Sequence, residues 1–137
     1  MASDPVESFC LVAIGSNRDF VRVFLEILEG EKIGLRMKLE GQDWRLFPGG
    51  NLFKCLVDVR MVLEEGGFLL CCQGARPDVF PSGMQQQMDL GRFAYILSVG
   101  KERGRGVVDI FAEAEAREVV SVEEQRLAVY KFFGLPS

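Results

Sequence analysis

The hydrophobic pattern of this chain changes period at Pro48-Gly49-Gly50, and that change limits the folds open to it. Before the break, Val21, Val23, Leu25 and Ile27 alternate with Arg22, Phe24, Glu26 and Leu28. Ile33, Leu35, Met37 and Leu39 alternate in the same way with Gly34, Arg36, Lys38 and Glu40. A period of two sends alternate side chains to opposite faces, so this half predicts paired strands with one buried and one wet face. Glu29-Gly30-Glu31-Lys32 reads as the hairpin loop between them. After the break, Leu52, Cys55, Leu56, Val59, Val62 and Leu63 recur at spacings of three and four, which is one face of a helix. Asn51 can cap it by accepting a backbone N–H bond, and Gly66-Gly67 stops it. A one-sided helix following one-sided strands must bury its stripe against them.

The remaining segments fit around that pair. Phe9 to Ile14 reads as a strand closed by Gly15-Ser16-Asn17, and Trp44 with Leu46 marks a short one. Phe68 to Gln73 is apolar without alternation, which predicts a strand buried on both faces near the sheet centre. A loop, Gly74 to Leu90, follows. Arg92 to Val99 and Val107 to Phe111 read as strands joined by a charged turn, Lys101 to Gly106. Ser121-Val122-Glu123-Glu124 has the form of a capping box and opens a last helix carrying Leu127, Tyr130 and Phe133, ended by Gly134 and Pro136. The expected fold is α+β: a mostly antiparallel sheet of about five to six strands with two helices packed on one face. Residues 1–137 form a single domain in this reading, with 1–7 as a flexible N-terminal tail. At 137 residues the chain can bury about two-thirds of its unfolded surface, enough for a core without staples.

Charge and cysteine usage narrow the function classes. A net charge of −4 gives no general attraction to phosphate backbones, so nucleic acid is not an expected partner. None of the four cysteines, Cys10, Cys55, Cys71 and Cys72, has ligand-pair spacing, and there is no histidine to complete a zinc site. They read as small buried hydrophobes in a reducing compartment, and no metal or cofactor is expected. No apolar run approaches the roughly 18 residues of a membrane span. The N-terminus is acidic rather than a basic leader, so the expected location is cytoplasmic, as a monomer or weak homodimer.

The chain without histidine cannot build a Ser-His or Cys-His relay, and no paired carboxylates stand out. The most informative stretch is Gln73-Gly74-Ala75-Arg76-Pro77-Asp78-Val79-Phe80-Pro81-Ser82-Gly83-Met84. Two prolines stiffen it, and Arg76 carries a planar fork suited to a carboxylate or phosphate. Arg76, Asp78, Phe80 and Ser82 are therefore the candidate binding residues. The same residues also read as a brace in which Arg76 and Asp78 pair with each other.

Two resemblances bear on this. Leu-Val-Ala-Ile-Gly-Ser-Asn-Arg-Asp, residues 11–19, resembles the first strand and loop of the pterin pyrophosphokinases, but the closely spaced aspartates needed for magnesium are missing. The run from Gly74 to Met84, with Met88, Gly91, Ala94-Tyr95, Gly100, Val108-Asp109-Ile110-Phe111 and Val122 to Arg126, resembles small, mostly uncharacterised bacterial proteins. That resemblance implies a bacterial origin and a stand-alone domain of toxin-immunity type. The expectation is a non-catalytic domain that binds a protein partner. The alternatives are a small-molecule or anion-binding module using the Arg76 to Ser82 loop, and an enzyme whose carboxylates converge only in three dimensions.

Overall fold

The computed structural model describes residues 5–97 and 106–135, and the expected turn at Lys101 to Gly106 falls mostly outside them. The fold is α+β, built on two antiparallel sheets. The larger sheet has strand order β4-β3-β2-β1-β5 and the smaller β6-β7-β8. In chain order the elements are β1 (Pro5–Gly15), β2 (Phe20–Leu28), β3 (Gly34–Leu39), β4 (Arg45–Pro48), α1 (Leu52–Glu65) and β5 (Phe68–Leu70). Then come β6 (Val79–Phe80), α2 (Gly83–Met88), β7 (Phe93–Ile96), β8 (Val107–Asp109) and α3 (Val122–Phe132). A single 3₁₀ turn, Gln73–Ala75, opens the loop after β5, and another, Ala116–Glu118, precedes α3.

The period-two residues behave as their pattern demands. Val23, Leu25, Ile27, Leu35 and Met37 are buried with Leu11, Ala13 and Phe47 on the inner face of the large sheet. Helix α1 supplies the other side of the core through Leu52, Cys55, Leu56, Val59 and Leu63. Asn51 Oδ1 accepts from Lys54 N at 3.1 Å, and Ser121 and Glu124 complete the capping box of α3.

Four sequence expectations need correction. β1 begins at Pro5, not Phe9, so Pro5, Val6 and Glu7 are strand rather than tail; Arg92 holds Glu7 Oε1 at 2.7 Å and Oε2 at 3.0 Å. β5 lies at the sheet edge, not its centre. Its apolar run is explained by what lies beyond it: Cys72 bridges Glu113, and Ala114 N donates to Cys71 O at 3.3 Å. Cys10 is exposed, unlike the other three thiols. Helix α3 buries Gln125 and Val129, while Leu127 and Phe133 are exposed.

The small sheet is pinned to the large one by Arg92. Its guanidinium binds Asp109 as well as Glu7, and lies over the rings of Phe9, Phe93 and Phe111. Hydrogen bonds to Asp109 and Glu7 hold this arginine above its ordinary pKa. Phe9 stacks on Phe111 at 4.7 Å beneath it.

Candidate functional site

The loop after β5 gathers the sequence-predicted residues and commits most of them internally. Arg76 grips Asp78 with both arms of its fork, Nε to Oδ1 at 3.0 Å and Nη2 to Oδ2 at 2.7 Å. Its Nη1 donates to Gln73 Oε1 at 2.8 Å and lies 4.0 Å from Glu118. Phe80 meets the Phe53 ring edge-on at 5.3 Å, and its backbone pairs with Tyr95. Ser82 is half-buried, and its carbonyl accepts from Gln86 N at 3.0 Å.

Beneath this loop lies a polar node that the sequence reading missed. Arg60 of α1 is fully buried. Its Nη1 donates to Gln125 Oε1 at 2.5 Å and Gly74 O at 3.2 Å, and Nη2 donates to Val120 O at 3.0 Å. Gln125 Nε2 lies within 3.1 Å of the carbonyls of Gly74, Arg76 and Val79. Two side chains thus supply donors to the backbone carbonyls of an irregular, buried segment. Gly74 must be glycine here, because a Cβ would fall 2.7 Å from Leu56 Cδ2 and 2.9 Å from Ile110 Cβ. Burial lowers the Arg60 pKa from its ordinary value, yet a guanidinium remains charged. Burial also pushes the neighbouring Cys72 thiol up to about 12, so it stays protonated. Glu64, 3.9 Å from Arg60 Nε, accepts from Val122 N with both oxygens; desolvation raises its pKa. The clue was positional: Arg60 stands four residues after Leu56 and three before Leu63, on the buried stripe itself.

The outer face of the large sheet is the contrasting surface. Residues alternating with the core set point there: Ser8, Cys10, Val12 and Ile14 from β1, Phe20 to Leu28 at every second position from β2, Gly34, Arg36 and Lys38 from β3, Leu46 and Pro48 from β4. The cross-strand register sets Glu26 beside Arg36 beside Leu46, and Leu28 beside Gly34 beside Pro48. Trp44 lies next to Lys38, whose ammonium is 5.3 Å from the indole ring, while the Arg36 guanidinium sits 4.4 Å above it. Gly34 contributes no side chain, and around it opens a hollow of 420 Å³ lined by Leu28, Ile33, Trp44, Leu46 and Pro48, with Lys32 and Arg36 among its polar neighbours. Phe20 and Leu46 are each 60% exposed. Glu29 and Glu31 at one end of the strands, and Glu40 and Asp43 at the other, give this face an acidic rim.

A second hollow, of 530 Å³, lies between Pro77, Asp78, Leu97 and the α3 residues Ala128, Lys131 and Phe132. Neither Arg76 nor Ser82 lines it, and Leu97 is the last residue described before 98–105. Among the described residues no cluster of cysteines and carboxylates is placed to hold a metal, and no helix is long and apolar enough to cross a membrane.

These features define an α+β domain with a closed, hydrogen-bonded loop on one side and, on the other, a sheet face that no described element covers. No family model matches the chain, and no curated protein matches it either.

Proposed function

We propose that this chain is a non-catalytic interaction domain that docks a protein partner on the outer face of its five-stranded sheet. The observation that supports this reading is the hollow at Gly34, walled by Trp44, Leu46 and Pro48 within an acidic rim. An exposed apolar cluster with a polar border is the surface that protein partners use, with aromatic residues and arginine as anchors. Blocking a partner by covering it, as an immunity-type protein does, needs no chemistry beyond such a face. Glu64 is the carboxylate whose pKa burial raises among the described residues, and it is occupied with the start of α3. The Arg76 fork, the natural anion ligand of the loop, is already filled by Asp78.

The test is site-specific photo-crosslinking in the source cell. A benzophenone side chain in place of Leu46 should give one discrete protein adduct, and Trp44→Ala should remove it. The same probe in place of Pro77 should give none. An adduct from position 77 with none from position 46 would overturn the proposal.

A further inference from the structure

Resting on that docking reading, we infer that the partner is a second copy of this chain, packed face to face and antiparallel along β2 about a twofold axis at Phe24. The outward side chains of β2 are Phe20, Arg22, Phe24, Glu26 and Leu28, an apolar-cation-aromatic-acid-apolar series. Reversed, the series complements itself. Phe20 of one copy meets Leu28 of the other, Arg22 meets Glu26, and Phe24 meets Phe24. A twofold contact requires this property, because one patch must fit itself. β2 is also the middle strand of the five, so an axis at Phe24 lies at the centre of the face.

Charge obeys the same operation. The face holds Arg22, Arg36 and Lys38 within a border of Glu29, Glu31, Glu40 and Asp43, so it selects neither a uniformly acidic nor a uniformly basic ligand. Along β2, however, the signs are separated, with Arg22 two residues before Phe24 and Glu26 two after it. Arg22 has no ion pair among the described residues. Glu26 accepts from Arg36 and Ser8, and a carboxylate has room for a further cation. The twofold also carries the β1–β2 turn, with Arg18, to the Glu29–Lys32 end of the other copy, where Glu31 borders the hollow. Shape follows suit. Ile14 pairs with Phe20 across β1 and β2, and Gly34 pairs with Leu28 across β2 and β3. Ile14 of one copy therefore comes over the hollow at Gly34 of the other. Five strands about 4.8 Å apart, and the nine residues of β2 at about 3.3 Å each, give a planar extent of about 600 Å², small beside the roughly 800 Å² that each partner gives a standard interface. The dimer is accordingly a reversible one.

Sedimentation velocity on the full chain tests this. The parent should pass from monomer to dimer as its concentration rises through the micromolar range. Arg22→Glu sets carboxylates against each other across the contact, and Glu26→Arg does the same with guanidinium groups. Each variant alone should associate at least about tenfold more weakly than the parent. An equimolar mixture of the two should dimerise again, since every cation of one copy then meets a carboxylate of the other. Circular dichroism checks that each variant is folded before mixing, and Glu26→Lys replaces an arginine variant that is not. Phe24→Glu places two carboxylates on the axis and should leave monomer alone. A parent that stays monomeric at millimolar concentration, a mixture no tighter than its components, or a Phe24→Glu dimer as tight as the parent overturns the inference. In source-cell crosslinking, an adduct from position 46 at twice the mass of the chain supports it. An adduct to a different protein, with the parent monomeric, sinks the second copy and leaves the docking reading standing; no adduct at all sinks the docking reading itself.

Discussion

The loop after β5 and the outer face of the large sheet use similar residues in opposite ways. In the loop, Arg76 gives three of its nitrogens to Asp78 and Gln73, and Arg60 and Gln125 hold the backbone from below. On the sheet face, Arg22 and Lys38 have no carboxylate, and Trp44 and Leu46 have no covering layer among the described residues. The lesson is that residue type does not mark a site. A loop dense in arginine, aspartate and proline can be consumed by its own bracing, while a plain strand face leaves Arg22 and Lys38 without an ion pair among the described residues. Stability should therefore be sensitive at the loop and insensitive at the face, with binding the reverse.

The largest effect is expected at the node. Arg60→Ala leaves Val120 O and Gln125 Oε1 without a donor, while Gly74 O keeps Gln125 Nε2. At roughly 1–3 kcal/mol per buried unsatisfied group, the loss should be at least about 2 kcal/mol in urea unfolding. A loss below about 1 kcal/mol would mean that water replaces the guanidinium and the loop is not closed. Gly74→Ala comes next, at about 1–3 kcal/mol from overpacking against Leu56 and Ile110. Ser121→Ala removes the α3 cap and should cost about 0.5–2 kcal/mol, with Ser121→Gly milder. Calorimetric midpoints of all three variants check the ranking.

Smaller still is the acid response. The Ser121 backbone N–H and hydroxyl hold Glu124 below its usual range, and Arg92 does the same for Glu7. A depressed carboxylate gives stability that is complete above its unfolded pKa and is lost as pH falls through the folded one. Urea midpoints should therefore fall on acidification below the ordinary carboxylate range, and Glu7→Gln should flatten part of that slope. Glu64 works in the other sense: its raised value makes the folded state lose stability as pH climbs from the ordinary carboxylate range through the raised one. Thiol labelling sharpens the contrast further. Cys10 on the open face should react rapidly in the native state, whereas Cys55, Cys71 and Cys72 should wait for unfolding.

Much of the fold was legible because its patterns are local. The alternation from Val21 to Leu39 set the faces of β2 and β3, and the three-four spacing after Asn51 set α1 with its cap. The fate of polar residues was not legible. Gln125 looks like a solvent-facing helix residue, and Arg60, although it stands on the buried stripe of α1, has no visible partner until the loop after β5 and the start of α3 bring it carbonyls. The apolar run after Phe68 pointed to a central strand because burial by a neighbouring segment and burial by a neighbouring strand leave the same mark. The open face was hidden for a related reason: alternation says which residues leave the core, not whether a second layer covers them.

Comparing Arg76→Ala with Leu46→Asp tests the division between loop and face most directly, with urea unfolding and crosslinking from a benzophenone at position 12 measured on each. We expect Arg76→Ala to lose about 1 kcal/mol of stability and keep its adduct, since a partly exposed paired arginine contributes little more. Leu46→Asp should change stability by no more than about 0.5 kcal/mol and lose the adduct. An adduct that vanishes with Arg76→Ala at unchanged stability, and persists with Leu46→Asp, would contradict the account and return the site to the loop.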